Sequence, residues 1–162
     1  MRGIRWFLPA ALVAALLAAG ASVASAGATK VFPISGSYAG TASTNVDGNT
    51  ATIAANGAGR STVLGAGKIT GSGTADTSQQ PCSPFLGTGT LSGVGSVITF
   101  KVPTGASGCG DDGGHVFAIH GVLQVVKVSG KLAKAKGSLR FTGTYSHDDG
   151  TFSIRLTGSL AK

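Results

Sequence analysis

GSLRFTGTYSHDDGTFSIRLTGSL, residues 137–160, contains two runs of alternating apolar and polar residues on either side of a short polar turn. The apolar members of the two runs are Leu139, Phe141, Tyr145, Phe152, Ile154, Leu156 and Leu160. Successive side chains of a strand point to opposite faces, so each run has one apolar face. The stretch therefore predicts a β-hairpin with one face in a core.

The turn residues predict the register of this hairpin. Asp-Gly is a favoured pair for a two-residue hairpin turn, and Asp149-Gly150 stands at the centre of the stretch. Such a turn would pair Tyr145 with Ile154, so that apolar residues oppose apolar residues. A loop with an odd number of residues would set apolar side chains against polar ones, which the register of a half-buried strand resists.

The same alternation predicts eight strands along the chain. They cover about residues 31–43, 49–56, 60–75, 85–93, 95–103, 115–128, 132–146 and 151–161. Turn sequences such as VDGN, NGAG, SGVG, VSGK and HDDG separate them. Short sequential hairpins predict an all-β fold, either an eight-stranded antiparallel up-and-down barrel or a two-sheet β-sandwich. We favour the barrel because closure removes exposed strand edges, and because eight strands can hold one small ligand.

The N-terminal residues have the order of a secretory signal peptide. Arg2 and Arg5 precede the uncharged apolar run Trp6–Ala19, and the small-residue motif ASA ends at Ala26. An uncleaved anchor is the alternative, but the run is short for a membrane span of about 20 residues. We therefore expect cleavage near Ala26, a single domain over residues 27–162, and an extracellular or periplasmic location.

The cysteine content agrees with export. Cys82 and Cys109 are the two cysteines of the chain, and they do not form a CxxC pair. In an exported protein the expected state is one disulfide, here closing a loop worth about 3–4 kcal/mol in the chain-entropy model. A free reactive thiol is the alternative.

The stretch VSGKLAKAKGSLRFTGTY, residues 128–145, resembles the Gly-Gly-Thr-Gly-Lys-Phe-x-x-Ala-x-Gly signature of the dirigent and allene oxide cyclase barrels. It is also similar to Gly-rich secreted bacterial proteins of that barrel type. The resemblance implies an eight-stranded barrel with a central apolar cavity and a homo-oligomer, often a trimer in plant members. Plant allene oxide cyclases use a pocket glutamate, whereas all six acids here are Asp and there is no Glu. No catalytic residue is therefore carried over.

In a meander, loops 1–2, 3–4, 5–6 and 7–8 share one end of the barrel, and the sequence places both cysteines and all six Asp there. This end predicts a ligand-binding rim. Its candidate residues are His115, Tyr145, His147, Asp111, Asp112 and Asp148. His115 has the strand parity of Phe117 and should point inward, whereas His120 has the opposite parity and should point outward unless Gly121 marks a bulge.

The chemistry of these residues favours binding over catalysis. Their spacing fits no zinc or calcium motif, and no serine has a nucleophile-elbow context. We therefore predict no catalytic residue, no metal ligand and no cofactor. Asp and Gly are also the ordinary residues of turns, so simple polar loops are the alternative interpretation.

A basic run lies toward the opposite end. It consists of Lys127, Lys131, Lys134, Lys136 and Arg140, with no acid between them. Without Arg2 and Arg5 the chain keeps 11 of its 13 cations against six Asp, a net charge of +5. Such a patch could meet an anionic surface polymer such as a phosphate-rich wall polymer, an anionic membrane surface or nucleic acid, and export and the absence of interleaved aromatics argue against nucleic acid. A solvated hairpin is the alternative.

Three functions follow from these patterns. The first is non-enzymatic binding of a small apolar or amphipathic ligand at the acidic rim. The second is an enzyme of the barrel cyclase or dirigent kind, and the third is a cell-surface or cell-wall protein that uses the basic face. A ligand-sized cavity would favour the first two, and a filled interior would favour the third.

Overall fold

The computed structural model describes residues 28–162, so the predicted signal peptide lies outside the described residues. Eight strands form the fold, and no helix is present between residues 28 and 162. The strands are β1 (Val31–Asp47), β2 (Thr50–Ser61), β3 (Gly65–Asp76), β4 (Cys82–Gly93), β5 (Ser96–Gly110), β6 (Val116–Gly130), β7 (Lys136–Ser146) and β8 (Thr151–Ala161).

The strands close into one antiparallel barrel in chain order, with β1 paired to β8. The predicted up-and-down barrel is thus confirmed over the two-sheet sandwich. Every strand has a partner on both sides, so no strand edge is left unpaired along the sheet. The inward and outward faces alternate along the strands, as the sequence pattern predicts, except at the register shifts of the β4–β5 and β5–β6 ladders.

The alternating strand directions divide the connections between two ends. The open end carries the connections at residues 48–49, 77–81, 111–115 and 147–150. The closed end carries those at residues 62–64, 94–95 and 131–135, together with both termini of the barrel. All six Asp lie at the open end, at the ends of β1 and β3 or in the last two of its connections.

The register of the β7–β8 hairpin differs from the prediction. Tyr145 pairs with Phe152 and not with Ile154, because the turn comprises four residues, 147–150, and not two. Asp149 Oδ1 accepts hydrogen bonds from the Thr151 amide at 3.0 Å and from its hydroxyl at 2.7 Å, which closes the wider turn. The number of turn residues is still even, so the apolar faces of both strands match.

The predicted NGAG turn at residues 56–59 is wrong. These residues continue β2, which pairs with both β1 and β3 and ends at Ser61. Gly57 faces the barrel interior, where an added Cβ would lie 2.6 Å from the Ala39 carbonyl oxygen and 2.8 Å from the Phe152 ring. Glycine is needed here for a close approach of strands and not for a turn.

The predicted loop over residues 104–114 is also shorter in the structure. The β4–β5 register shifts between Phe85 and Gly87, and the paired part of β5 resumes at Ala106. Pro103 has no N–H to donate, and Gly105 has a φ of +101° that suits glycine, so the chain bulges at this point. The connection itself is confined to residues 111–115.

The closed half of the barrel holds the core. Leu139, Leu156 and Leu160 are fully buried there, and the connections of the closed end add Leu64 and Leu132 as a plug. The prediction that the seventh strand begins at residue 132 is therefore wrong, since residues 131–135 form this plug and β7 begins at Lys136.

Two buried serines support the plug. The Leu64 amide donates to Ser61 Oγ at 3.2 Å, and the Leu132 amide donates to Ser96 Oγ at 3.4 Å. These bonds supply partners to backbone groups that would otherwise be buried without one.

Candidate functional site: a cavity at the open end

A cavity of about 300 Å³ occupies the open half of the barrel. Its wall includes inward-facing residues from all eight strands near the open end, among them Val46, Ala51, Ala75, Ser83, Gly108, Phe117, Tyr145 and Phe152. Its floor is formed by buried core residues, including Ile69, Phe100, Leu123 and Phe141. The volume lies at the lower limit of the usual range for small-molecule pockets, about 300–1,000 Å³.

Small inward-facing residues keep this half of the barrel hollow. Ala42, Ala55 and Gly71 oppose one another across β1, β2 and β3, and all three line the cavity. The corresponding inward positions of the closed half carry large residues such as Tyr38 and Leu91, and these fill the interior. Runs such as ATIAANG and GSGTAD are rich in small residues, but they predict a cavity only once it is known which residues face inward.

Tyr145 forms a polar bridge at the cavity mouth. Its hydroxyl shares a hydrogen bond of 2.9 Å with the Thr44 hydroxyl, so the side chain spans from β7 past β8 to β1. Its ring lies 6.2 Å from the ring of Phe117 and 6.4 Å, edge-on, from that of His147. The mouth therefore offers two hydroxyls and one imidazole above an apolar wall.

The predicted inward orientation of His115 is wrong. His115 precedes the first residue of β6, its side chain is 63% exposed, and it is not part of the cavity wall. Its Nδ1 lies 2.9 and 3.0 Å from the two carboxylate oxygens of Asp148. The partner from the neighbouring turn, and not strand parity, sets the orientation of the ring.

The charge of this pair affects the titration of His115. The hydrogen bond with Asp148 and its negative charge raise the pKa of His115 above the usual value. The His147 amide also donates to the His115 carbonyl oxygen at 2.8 Å. Residues 111–115 and 147–150 are thus joined by one backbone bond and one side-chain pair.

Asp111 shapes its own turn. The His115 amide donates to Asp111 Oδ1 at 2.8 Å, and this bond holds the pKa of Asp111 below the usual value. Hydrogen bonds from Ser78 act in the same way on Asp76, and those from Thr151 on Asp149. These three carboxylates accept the bonds that close their turns, as expected of Asp in such positions.

Five of the six predicted rim residues separate into two groups, and Asp112 belongs to neither. Tyr145 and His147 line the cavity mouth. Asp111, His115 and Asp148 are linked to one another outside it. Asp112 lies exposed in the same connection as Asp111. The rim does not bring both histidine rings into the cavity wall.

His120 is exposed on the outer face of β6, as predicted from its parity. Its Nε2 lies 3.2 Å from Ser107 Oγ. Gly121 continues the regular pairing of β6 with β7, opposite Phe141, so no bulge changes the parity on that side.

The predicted disulfide is present. Cys82 and Cys109 are paired in the β4–β5 ladder at the open end, with their Cα atoms 3.9 Å apart. The sequence predicted both cysteines in loops, whereas in the structure Cys82 lies in β4 and Cys109 in β5. The bond fastens the strands just beyond the bulge of β5.

The predicted basic residues Lys127, Lys131, Lys134, Lys136 and Arg140 are all exposed. Lys131 and Lys134 lie in the connection at the closed end, and Lys136 opens β7 beside it. Lys127 lies three positions before the end of β6, whereas Arg140 lies further along the barrel wall. The patch is therefore centred on the closed end, opposite the cavity mouth.

No three His, Cys, Asp or Glu side chains within residues 28–162 come together as a metal site. Within the same residues, no helix has the length and apolarity to span a membrane.

No protein-family model matches this chain, and no curated protein matches it by sequence. The resemblance to the dirigent and allene oxide cyclase barrels stays a prediction.

Proposed function

We propose that this chain is a secreted, non-enzymatic protein that binds a small apolar or amphipathic ligand in the open half of its barrel. The observation that carries the proposal is the cavity of about 300 Å³, with a predominantly apolar wall and the side chains of Thr44, Tyr145 and His147 at its mouth. Binding sites for small molecules typically have this combination of an apolar wall and a few placed polar groups. The predicted signal peptide and the disulfide support secretion.

The size of the cavity limits the ligand. It is about twice the volume of an engineered cavity of about 150 Å³ that holds benzene. A molecule of two to three rings, or a short branched chain, is therefore the expected occupant. A polar group on the ligand would meet Tyr145, Thr44 and His147 at the mouth.

Binding is preferred to the cyclase or dirigent alternative because of the arrangement of the polar groups. His115 pairs with Asp148 outside the cavity, so the wall near the mouth keeps one imidazole and no carboxylate. General acid–base catalysis relies on a titratable side chain whose pKa is tuned by its neighbours, and the cavity wall places no charged residue beside Tyr145 and His147. A binding protein requires only the apolar wall and the polar mouth.

The test uses the neutral fluorescent probe N-phenyl-1-naphthylamine with the exported chain. We expect saturable binding with one probe per barrel. Ala55→Phe places a ring in the cavity and should weaken binding at least tenfold, or about 1.4 kcal/mol. Ala54→Phe is the matched control, since Ala54 is the neighbouring residue on the exposed face of β2 and should leave binding unchanged.

Gly71→Val is a second cavity-filling variant in case Ala55→Phe does not fold. An added Cβ at Gly71 has the Thr88 carbonyl oxygen as its nearest neighbour, at 3.4 Å, so the site accepts a side chain. Probe binding that is equal in wild type, Ala55→Phe and Gly71→Val would show that the probe binds elsewhere and would overturn the proposal. Native mass spectrometry of the exported chain would then identify any ligand retained from the host.

A further inference from the structure

The closed end of the barrel presents a cluster of exposed lysines. Lys131, Lys134 and Lys136 lie in or beside the β6–β7 connection. Lys30 precedes β1 and Lys162 follows β8, and the backbones of these two residues exchange hydrogen bonds of 3.0 and 2.9 Å. Five cations therefore occupy the end face of one small barrel.

These lysines have no acidic partner in the described chain. All six Asp lie at the open end, and the one ion pair found within residues 28–162 is that of His115 with Asp148. Charges separated by a barrel length are screened at physiological salt, where the Debye length is about 8 Å. The positive field of the closed end is therefore free to meet an external anion.

Exposed valines accompany the lysines. Val94 forms the tip of the β4–β5 connection and is 69% exposed, and Val31 at the start of β1 is 57% exposed. Val126 is 62% exposed at a register shift of β6, but it lies four residues before the end of the strand, on the barrel wall. Single exposed valines are ordinary, but the end face combines Val31 and Val94 with lysines that have no acidic partner within residues 28–162.

We propose that the closed end docks on an anionic lipid surface, with the cavity mouth facing away from it. Clusters of about four to eight Lys or Arg are typical of protein regions that bind anionic headgroups. The valines would enter the boundary between headgroups and acyl chains, where apolar side chains add to the electrostatic attraction. A soluble polyanion would use the lysines but would have no role for Val31 and Val94.

The test measures co-sedimentation of the exported chain with vesicles of 30% phosphatidylglycerol and 70% phosphatidylcholine. Its N terminus is first read by mass spectrometry, because a retained apolar N-terminal segment would itself bind lipid. We expect binding to these vesicles that falls with added salt, and no binding to pure phosphatidylcholine.

The closed-end triple variant Lys131→Gln, Lys134→Asn, Lys136→Gln should bind the anionic vesicles about a hundredfold more weakly than wild type, at roughly fivefold per charge. Asn is chosen at position 134 because Lys134 has a φ of +71°, which Asn tolerates.

A second triple variant provides the charge-matched control. Lys101→Gln, Arg140→Gln and Arg155→Gln remove three exposed cations from the barrel wall, away from the end face. This variant should bind within about threefold of wild type, since its charges lie four to six residues along their strands from the closed end, or about 13–20 Å of strand, against a Debye length of about 8 Å. Val94→Ser should lower affinity roughly fivefold through the lost apolar contact.

Four results would overturn the proposal. They are equal binding to both vesicle types, an equal loss in the two triple variants, no loss in the closed-end triple, and sedimentation of the chain without vesicles. The last result would point to contacts between the acidic open end of one copy and the basic closed end of another. None of these results depends on whether the cavity holds a ligand.

Discussion

At the scale of single residues, the pairing of His115 with Asp148 makes the stability of the folded protein depend on pH. Because the folded protein raises the pKa of His115, protonation and folding favour each other. The stabilising effect of the pair is complete below about pH 6.5, the usual histidine pKa, and is lost as the pH rises through the higher folded value. Acidification should therefore strengthen the link between residues 111–115 and 147–150.

We expect Asp148→Asn to lower the pKa of His115, as measured by NMR titration of its ring protons. The difference in Tm between wild type and Asp148→Asn should be larger at pH 5.5 than at pH 8.5. Asp112→Asn is the control, because it removes an exposed carboxylate from the connection that carries His115 without breaking the pair. An unchanged His115 titration in Asp148→Asn would show that the pair does not form in solution.

The connections of the closed end show how an element outside the strands contributes to the core. Leu132 belongs to the β6–β7 connection, yet it is only 4% exposed and packs in the main apolar cluster. Removal of a buried leucine side chain typically costs about 2–5 kcal/mol, because it loses apolar contacts and leaves a cavity. The connection should therefore stabilise the barrel like a core strand.

We expect Leu132→Ala to lower the free energy of unfolding by about 2–5 kcal/mol in urea denaturation. Leu86→Ala is the matched control, since Leu86 is 46% exposed and surface substitutions usually change stability by about 0.5 kcal/mol or less. A loss for Leu132→Ala no larger than for Leu86→Ala would mean that the connection is open in solution and does not plug the barrel.

The elements also show which parts of the fold the sequence can predict. Alternation is a local property, so the β7–β8 hairpin and the eight strands follow from it, whereas the choice of the barrel over the sandwich depends on the removal of strand edges. Glycine is ambiguous, because it serves tight turns and close strand approaches equally. The sequence of residues 56–59 therefore predicts a turn. In the structure Gly57 lies within β2, where β1 comes too close to leave room for a side chain.

The candidate site was harder to predict from the sequence than the strands, because it depends on contacts between residues that are far apart in the chain. The grouping of the acids at one end follows from chain order alone. The orientation of His115 depends on Asp148, 33 positions away, and the cavity depends on small residues from three strands meeting in one layer. Neither property is present in any local stretch of sequence.

At the scale of the whole molecule, the two halves of the barrel differ in how their interiors are packed. The closed half is filled and holds the largest fully buried side chains, whereas the open half surrounds the cavity. The disulfide lies in the open half, next to the bulge of β5 where the ladder is interrupted. A covalent link at this point compensates for missing core contacts and preserves the shape of the cavity.

The disulfide joins residues 27 positions apart, and a loop of this length is worth about 3–4 kcal/mol in the chain-entropy model. We expect the double variant Cys82→Ser, Cys109→Ser to unfold at a Tm roughly 10 °C lower than wild type, as measured by calorimetry. Reductant should lower the Tm of wild type to that of the variant and leave the variant unchanged.

Loss of the disulfide should affect the open half most. Hydrogen exchange in the double variant should therefore accelerate at the open ends of β4 and β5 before it does in β7 and β8. Uniform acceleration around the barrel would show that the two halves unfold as one unit and that the bond does not specifically support the cavity.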